Sequence, residues 1–192
     1  MTGHGYAIFD TGLGRCGIAW GELGIVGVQL PEAREIETRR RVLQQYPAAR
    51  ELRPPASVEM AIEGITALLR GEPADLSRVR LDMSSIKYFN QRVYAFTRTI
   101  PHGETRNYAE VAAALKLSGA VHSVTEALGR NPFAIIVPCH RVLEAGAYAG
   151  RSSPNAGAIS ERRLLSIEGA RGPVRGMTLF DVLLPVPPPP HG

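Results

Sequence analysis

The sequence predicts an α+β protein, with an antiparallel sheet in its first part and a helical region behind it. Three observations lead there. Residues 6–9, 16–20 and 25–30 are short apolar runs separated by the glycine-bearing turns Thr11-Gly12-Leu13-Gly14 and Gly21-Glu22-Leu23-Gly24, the spacing of an antiparallel meander. From Ser84-Ser85 onward, strand patterning gives way to helical periodicity as far as Ile135. Apolar residues make up 44% of the 192, enough for a compact core. The expected division is a support domain over 1–84, a second domain over 85–176 that carries the candidate chemistry, and a proline-rich tail over 177–192.

Each later element has its own signal. Pro31 opens a segment of alternating charge, 32–46, with helical character. Ser57 is the expected N-cap of a helix over 58–70, with Ile62, Ile65 and Leu69 on one face and Gly71 as its stop. Residues 79–83 read as a returning strand. Phe89, Val93, Phe96 and Ile100 recur as the core stripe of an amphipathic helix that ends at Pro101-His102-Gly103. Asn107 and Glu110 form a capping box for a helix through Leu115, and Ser118 is a cap for a second short helix ending near Leu128-Gly129. Two short helices joined by a tight turn are the pattern of a helix-turn-helix, with 119–128 as recognition helix; an ordinary helical hairpin reads the same way. The tail favours extended polyproline, either disordered or a ligand for a proline-binding domain.

Composition removes several function classes. No apolar stretch approaches the roughly 20 residues of a membrane helix, and the N-terminus has no basic region followed by an apolar run. A soluble, cytoplasmic protein is expected, nucleoid-associated in a bacterium, with a nuclear location left open. A net charge of +4 leans weakly toward nucleic acid. Cys16 and Cys139 are expected as free thiols. Without a C-x-x-C, and with His4, His102, His122, His140 and His191 scattered, no metal site is expected.

The most informative stretch is Asn131-Pro132-Phe133-Ala134-Ile135-Ile136-Val137-Pro138-Cys139-His140-Arg141-Val142. An apolar run delivers a cysteine between a proline, which constrains the backbone, and a histidine. A thiolate is a soft nucleophile suited to a saturated carbon, and His140 supplies a base that an acidic residue elsewhere would orient. The alternative is that Cys139 is a small buried hydrophobe in a core strand.

Pro138-Cys139-His140-Arg141-Val142, preceded by Gly129-Arg130-Asn131-Pro132, closely resembles the active-site signature of the O6-alkylguanine-DNA alkyltransferases. The resemblance extends to Phe89-Asn90-Gln91-Arg92-Val93-Tyr94, Ile100-Pro101-His102-Gly103-Glu104-Thr105, Leu164-Leu165-Ser166-Ile167-Glu168-Gly169 and the opening strands, covering most of residues 5–172. It implies an N-terminal RNase-H-like sheet domain and a C-terminal helical domain with a helix-turn-helix. The implied partner is double-stranded DNA containing alkylated guanine, held through the minor groove by a monomer, with the damaged base flipped out of the stack. The implied reaction is single-turnover transfer of the alkyl group from O6-alkylguanine to Cys139, with O4-alkylthymine a second candidate lesion and no cofactor required.

By the same resemblance, His140 deprotonates Cys139 through a bridging water. The expected extended strand would point neighbouring side chains apart and so require that water. Glu168 matches the carboxylate that orients His140, and Asn131 the asparagine that ties the helix-turn-helix to the active-site strand. Tyr108 matches the tyrosine that helps rotate the nucleotide, and Val142 offers a carbonyl to the guanine amino group. Arg141 reads as a buried ion-pair partner and Cys16 as inert. His122, Ser123, Thr125 and Arg130 fall on the DNA-facing side, and Ser152 or Ser153 in the lesion pocket.

The departures also fall there. His122 aligns with an arginine that fills the gap left by the flipped base; Thr125 and Glu126 align with two glycines; Glu161 aligns with a lysine; and the loop 146–155 is longer. These leave two alternatives beside repair: alkyl transfer to Cys139 from another lesion, single-stranded DNA or a free base, and a non-catalytic lesion-sensing DNA-binding module.

Overall fold

A computed structural model describes residues 5–117, 119–144 and 161–170. Strands β1 (Gly5–Thr11), β2 (Gly14–Gly21) and β3 (Gly24–Gln29) form the antiparallel meander read from the apolar runs. The β2–β3 turn requires glycine. Gly24 has φ 140°, and a Cβ there would lie 2.6 Å from the Arg80 carbonyl oxygen. A strand with no signal in the sequence, β4 (Arg50–Glu51), pairs in parallel with β1, giving the order β3-β2-β1-β4.

Alternation along the strands sends side chains to two faces. Helix α1 (Glu35–Gln45) covers one, where Val42, Tyr46 and Ala49 pack with Tyr6, Ala19 and Val26, and the Tyr46 hydroxyl donates to the Val26 carbonyl at 2.7 Å. This helix starts later than its charge pattern suggested, because the chain after Pro31 stays outside the helix until the Arg34 cap, whose amide donates to the Glu37 carboxylate at 3.3 Å. Helix α2 (Ala56–Leu69) covers the other face with Val58, Ala61, Ile65, Leu68 and Leu69. Its cap is Pro55 rather than Ser57: with φ −69° and ψ 159°, the Pro55 carbonyl accepts from Val58 and Glu59 at 2.8 and 2.9 Å. Ile62 is only half-buried at the margin.

Residues 79–83 do not form a strand. Leu81 makes a single bridge to Ile25, flanked by Ile25 N–H to Arg80 O at 3.0 Å and Asp82 N–H to Ile25 O at 2.8 Å. Pairing stops because the Asp82 carboxylate takes the Ser84 amide at 3.0 Å and turns the chain. The Arg98 guanidinium meanwhile occupies the carbonyls of Leu76, Ser77 and Val79.

The second half is helical. Helix α3 (Tyr88–Thr97) ends before Ile100, which is buried in the following turn. Its core residues are Val93, Tyr94 and Thr97, while Phe89 and Phe96 are half-buried. Tyr94 meets Phe133 edge-on at 6.2 Å and donates to the Ala127 carbonyl at 2.8 Å. Helix α4 (Tyr108–Ala114) opens on the expected capping box, Glu110 N–H to Asn107 Oδ1 at 2.9 Å and Asn107 N–H to Glu110 Oε2 at 2.6 Å. Helix α5 (Val121–Gly129) has Ala120 at its N-cap; Ser118, the cap expected from the sequence, lies outside the described residues. Val111, Ala112, Val124, Ala127 and Leu128 join the α2-side core, so one apolar cluster runs from the sheet into the helices. None of the described helices is long and apolar enough to cross a membrane.

Lys116, just past α4, holds a left-handed φ of 57° on an exposed position where glycine carries no Cβ penalty. Lys116→Gly is expected to raise the unfolding free energy by about 0.5–1 kcal/mol. A urea midpoint that stays put or falls would refute this.

Candidate active site

The acceptor loop hangs from the free edge of β3. Val28 N–H donates to the Pro132 carbonyl at 2.8 Å, and Val28 and Phe133 form a parallel bridge. Asn131, fully buried, then clamps both ends of the loop: its Nδ2 donates to Val137 O at 2.8 Å and its Oδ1 accepts from Phe133 N–H at 2.9 Å. Between the clamped ends Ile135 takes φ 69°, a strained conformation for a buried β-branched residue that persists because the surrounding bonds over-determine it.

Cys139 does not sit on an extended strand, as the apolar run had suggested. Cys139–Arg141 form a 3₁₀ turn capped by Pro138. The Val137 and Pro138 carbonyls are taken up locally, by Cys139 N–H at 2.8 Å and Arg141 N–H at 2.9 Å, instead of by a neighbouring strand. Successive residues of such a turn are about 120° apart around its axis, so Cys139 and His140 still diverge, though not to opposite faces.

Helix α6 (Glu161–Ile167) packs on this turn and delivers Glu168 just past its end. The Glu168 carboxylate is almost fully enclosed and accepts four hydrogen bonds. His140 Nε2 and Arg141 Nη2 both reach Oε1 at 2.8 Å, while Arg141 Nε at 2.9 Å and Gly103 N–H at 3.3 Å reach Oε2. Arg141 Nη1 also donates to Ile100 O at 2.7 Å, which ties in the turn after α3. Burial alone would raise the Glu168 pKa, but the bonds from His140 and Arg141 hold it well below the usual carboxylate range. His140 moves downward too, since burial disfavours its cation, Glu168 opposes that, and Arg141 and His102 add to it. At neutral pH the imidazole is therefore neutral. With Nε2 donating to the carboxylate, Nδ1 carries the lone pair that can take a proton.

Cys139 keeps part of its surface exposed, yet burial of the thiol pushes its pKa up to about 11, with bonding to Asn131 opposing and the Glu161 charge assisting. At rest the site holds a thiol and needs a base. Cys16 is fully buried in β2, its pKa pushed up to about 12 by burial, with a bond to Thr11 opposing. That environment suits an unreactive core residue. Among the described residues, no group of three His, Cys, Asp or Glu side chains is placed to hold a metal ion.

Strands β5 (Arg106–Asn107) and β6 (Val142–Leu143) pair in parallel, Arg106 with Val142 and Asn107 with Leu143. This brings Tyr108, the first residue of α4, beside the exit of the acceptor turn. His122 and Ser123 are exposed on α5, opposite its buried Val124, Ala127 and Leu128. Thr125 bonds back to Val121 O at 3.0 Å, and Arg130 is paired with Glu126 at 3.6 Å. Ser152 and Ser153 lie outside the described residues. Cys139, His140, Glu168 and Asn131 thus converge at the turn, Tyr108 and Val142 flank it, and the α5 residues form a separate exposed face. The contributions of Gly103 N–H and Ile100 O had no side-chain signal beyond the turn-forming Pro101-His102-Gly103.

Glu168→Gln would leave Arg141 buried without its counter-charge, and the expected cost is about 3–5 kcal/mol of unfolding free energy at neutral pH. A folded-state pKa below the unfolded value means stability present above the ordinary carboxylate pKa of 4.5 and lost as pH falls below it. The gap between wild type and Glu168→Gln should therefore shrink on acidification below that value. Urea titrations showing a small or pH-independent gap would contradict the network's role.

Residues 88–170 match the family model described as the 6-O-methylguanine DNA methyltransferase DNA-binding domain. The methylated-DNA–protein-cysteine methyltransferase of Mycobacterium tuberculosis is 41% identical over 128 residues, 66% of this chain and 74% of that one. The protein of that name from Methanothermobacter thermautotrophicus is 31% identical over 153 residues, 80% of this chain and 78% of the other. The crystal structure of Mycobacterium tuberculosis OGT in complex with DNA superposes with TM-score 0.64 at 30% identity, covering 88% of this chain and 94% of that one. The O6-methylguanine-DNA methyltransferase of Pyrococcus kodakaraensis, 22% identical with TM-score 0.65 over 86% of this chain and 99% of that one, shares the fold. With its Cys-His pair on a carboxylate-anchored turn, the chain belongs to the methylated-DNA–protein-cysteine methyltransferase family.

Proposed function

We propose that the protein repairs O6-alkylguanine in DNA by moving the alkyl group irreversibly onto Sγ of Cys139. The observation that carries this is the Cys139 thiol on a turn whose next residue, His140, is a neutral imidazole held by the buried Glu168 carboxylate. His140 Nδ1 takes the thiol proton through a water, since the two side chains diverge, and Glu168 stabilises the imidazolium that results. The sulfur attacks the alkyl carbon in line, the carbon–O6 bond breaks, and its electron pair leaves with the guanine. The imidazolium proton compensates the one guanine takes up, so the products are a thioether and an unmodified base. No step regenerates the thiol, so each molecule acts once.

In this reading the sheet with α1 and α2 is an RNase-H-like support domain ending at residue 84, and α4 and α5 form a helix-turn-helix that enters the minor groove. Tyr108 turns the damaged nucleotide out of the stack, the Val142 carbonyl receives the guanine amino group, and α5 presents His122, Ser123, Thr125 and Arg130 to the duplex. The protein works as a cytoplasmic monomer. The net positive charge supports a DNA partner, and so does the DNA-bound state of the M. tuberculosis relative.

One observation favours a second reading. Glu126 pairs with Arg130 on the exposed face of α5, placing a negative charge where phosphates would lie and occupying a cation that would meet them. A single strand or a free base is less affected by this pairing than a duplex.

Intact-protein mass spectrometry after incubation with a duplex containing one O6-methylguanine, with peptide mapping, decides between them. One methyl group on Cys139, saturating at one per chain and absent from Cys139→Ala, is the expected result. Transfer only from O6-benzylguanine or a single strand would move the substrate to the second reading, and no adduct from any of them would remove alkylguanine repair. His140→Ala should slow transfer by about 100-fold or more near neutral pH. That deficit should narrow as pH rises toward the thiol's own value of about 11; a deficit that does not change with pH would argue against His140 as the base.

A further inference from the structure

Between the 73–77 segment, the turn after α3 and the acceptor loop lies a cavity of about 370 Å³ that the proposed reaction does not use. Pro138 and Arg141 border it, while Cys139 and His140 between them do not. All of its walls belong to described residues. The volume suits a small molecule.

The walls combine an apolar lining with an excess of positive charge. Leu68, Ile135, Ile136 and Pro138 supply apolar surface, Arg98, His102 and Arg141 the basic groups, and Asp75 the one acid. Arg141 is neutralised by Glu168, through Nε at 2.9 Å and Nη2 at 2.8 Å. The Asp75 carboxylate is engaged with the Ser77 amide at 2.8 Å.

Arg98, the C-cap of α3, has no such counter-charge. Its Nη2 donates to the carbonyls of Leu76, Ser77 and Val79 at 2.6, 2.7 and 3.0 Å, and no carboxylate bonds to it among the described residues. Those three bonds fix the guanidinium. Nη1 makes no bond and is not enclosed, whereas Nε is enclosed without a partner, as is Nε2 of His102. A half-buried guanidinium held only by neutral acceptors, with one arm left over, favours an anion on that arm.

We propose that this cavity binds a small amphipathic anion, its oxyanion on Nη1 of Arg98 and its apolar body against Leu68, Ile136 and Pro138. A carboxylate and a phosphate monoester share the required chemistry. The site is distinct from the acceptor thiol, since an occupant touches the residues on either side of the Cys139–His140 pair and not the pair itself. It braces the acceptor turn through Pro138 and Arg141, and binding stabilises the folded chain by mass action. None of this depends on alkyl transfer.

The test is calorimetric titration of the full chain with benzoate and with phenyl phosphate, with benzamide as the uncharged control. Saturable one-to-one binding of at least one anion with a Kd of about 1 mM or tighter is expected, and benzamide should bind about tenfold more weakly or worse. The tighter of the two anions identifies the head group. Because Arg98→Gln also breaks the bonds to the 76–79 carbonyls, two exposed rim positions place the binding in this cavity. Asp75→Asn, which can keep the bond to the Ser77 amide, should tighten binding about threefold, a gain that unfolding cannot mimic. Thr99→Glu, which adds a negative charge at the rim, should weaken it about fivefold or more. No saturable binding of either anion up to about 10 mM, equal binding of benzamide, or a rim variant that leaves the affinity unchanged would overturn the proposal.

Discussion

The buried carboxylate of Glu168 is the contact on which the acceptor site depends. An ionised carboxylate taken out of water is stable only when its lone pairs are filled, and here four N–H donors from two other parts of the chain, the acceptor turn and the turn after α3, fill them. The requirement acts in both directions. Arg141 and His140 must stay on the 3₁₀ turn facing α6, and the turn after α3 must present Gly103 N–H and Ile100 O. Satisfying one charge therefore brings α3, the acceptor turn and α6 into a single arrangement, and it also selects the tautomer of His140 that leaves Nδ1 available.

A second constraint sets where that arrangement sits. The outer edge of β3 offers backbone groups that need partners, and two segments share them: Leu81 at one end and Phe133 at the other. The acceptor loop is thus pinned to the sheet by Val28 N–H and closed by the Asn131 amide. A loop fixed at both ends can carry the left-handed Ile135, and that kink replaces an extended run by a turn. Tyr94 completes the support by joining α3, α5 and the loop in one contact set. The support for the site is thus buried and hydrogen-bonded, while the α5 face that holds His122 and Ser123 is open to solvent.

Much of this was legible in the sequence, and the failures share a cause. The meander was readable because strand alternation and turn glycines are local signals, and the Asn107–Glu110 box because capping is a three-residue interaction. Ser57 was assigned as a cap by residue type, but the backbone carbonyl of Pro55 begins that helix. Residues 79–83 carry strand-like composition, yet a strand needs a partner edge, and that edge is shared. The two-residue β4 has no pattern of its own and exists only because β1 accepts it.

By itself, the sequence determined the mixed helix-and-sheet class and the family, and it singled out Cys139 as the candidate acceptor, because periodicity, caps and a Pro-Cys-His-Arg-Val motif are properties of neighbouring residues. Only the tertiary structure decided that Cys139 starts a 3₁₀ turn and that Glu168 serves His140 and Arg141 together. Those outcomes depend on desolvation and on distances between residues far apart in the chain. Enclosed hydrogen bonds are what make the Glu168 carboxylate a strong anchor, and their enclosure is set by packing that no local pattern encodes.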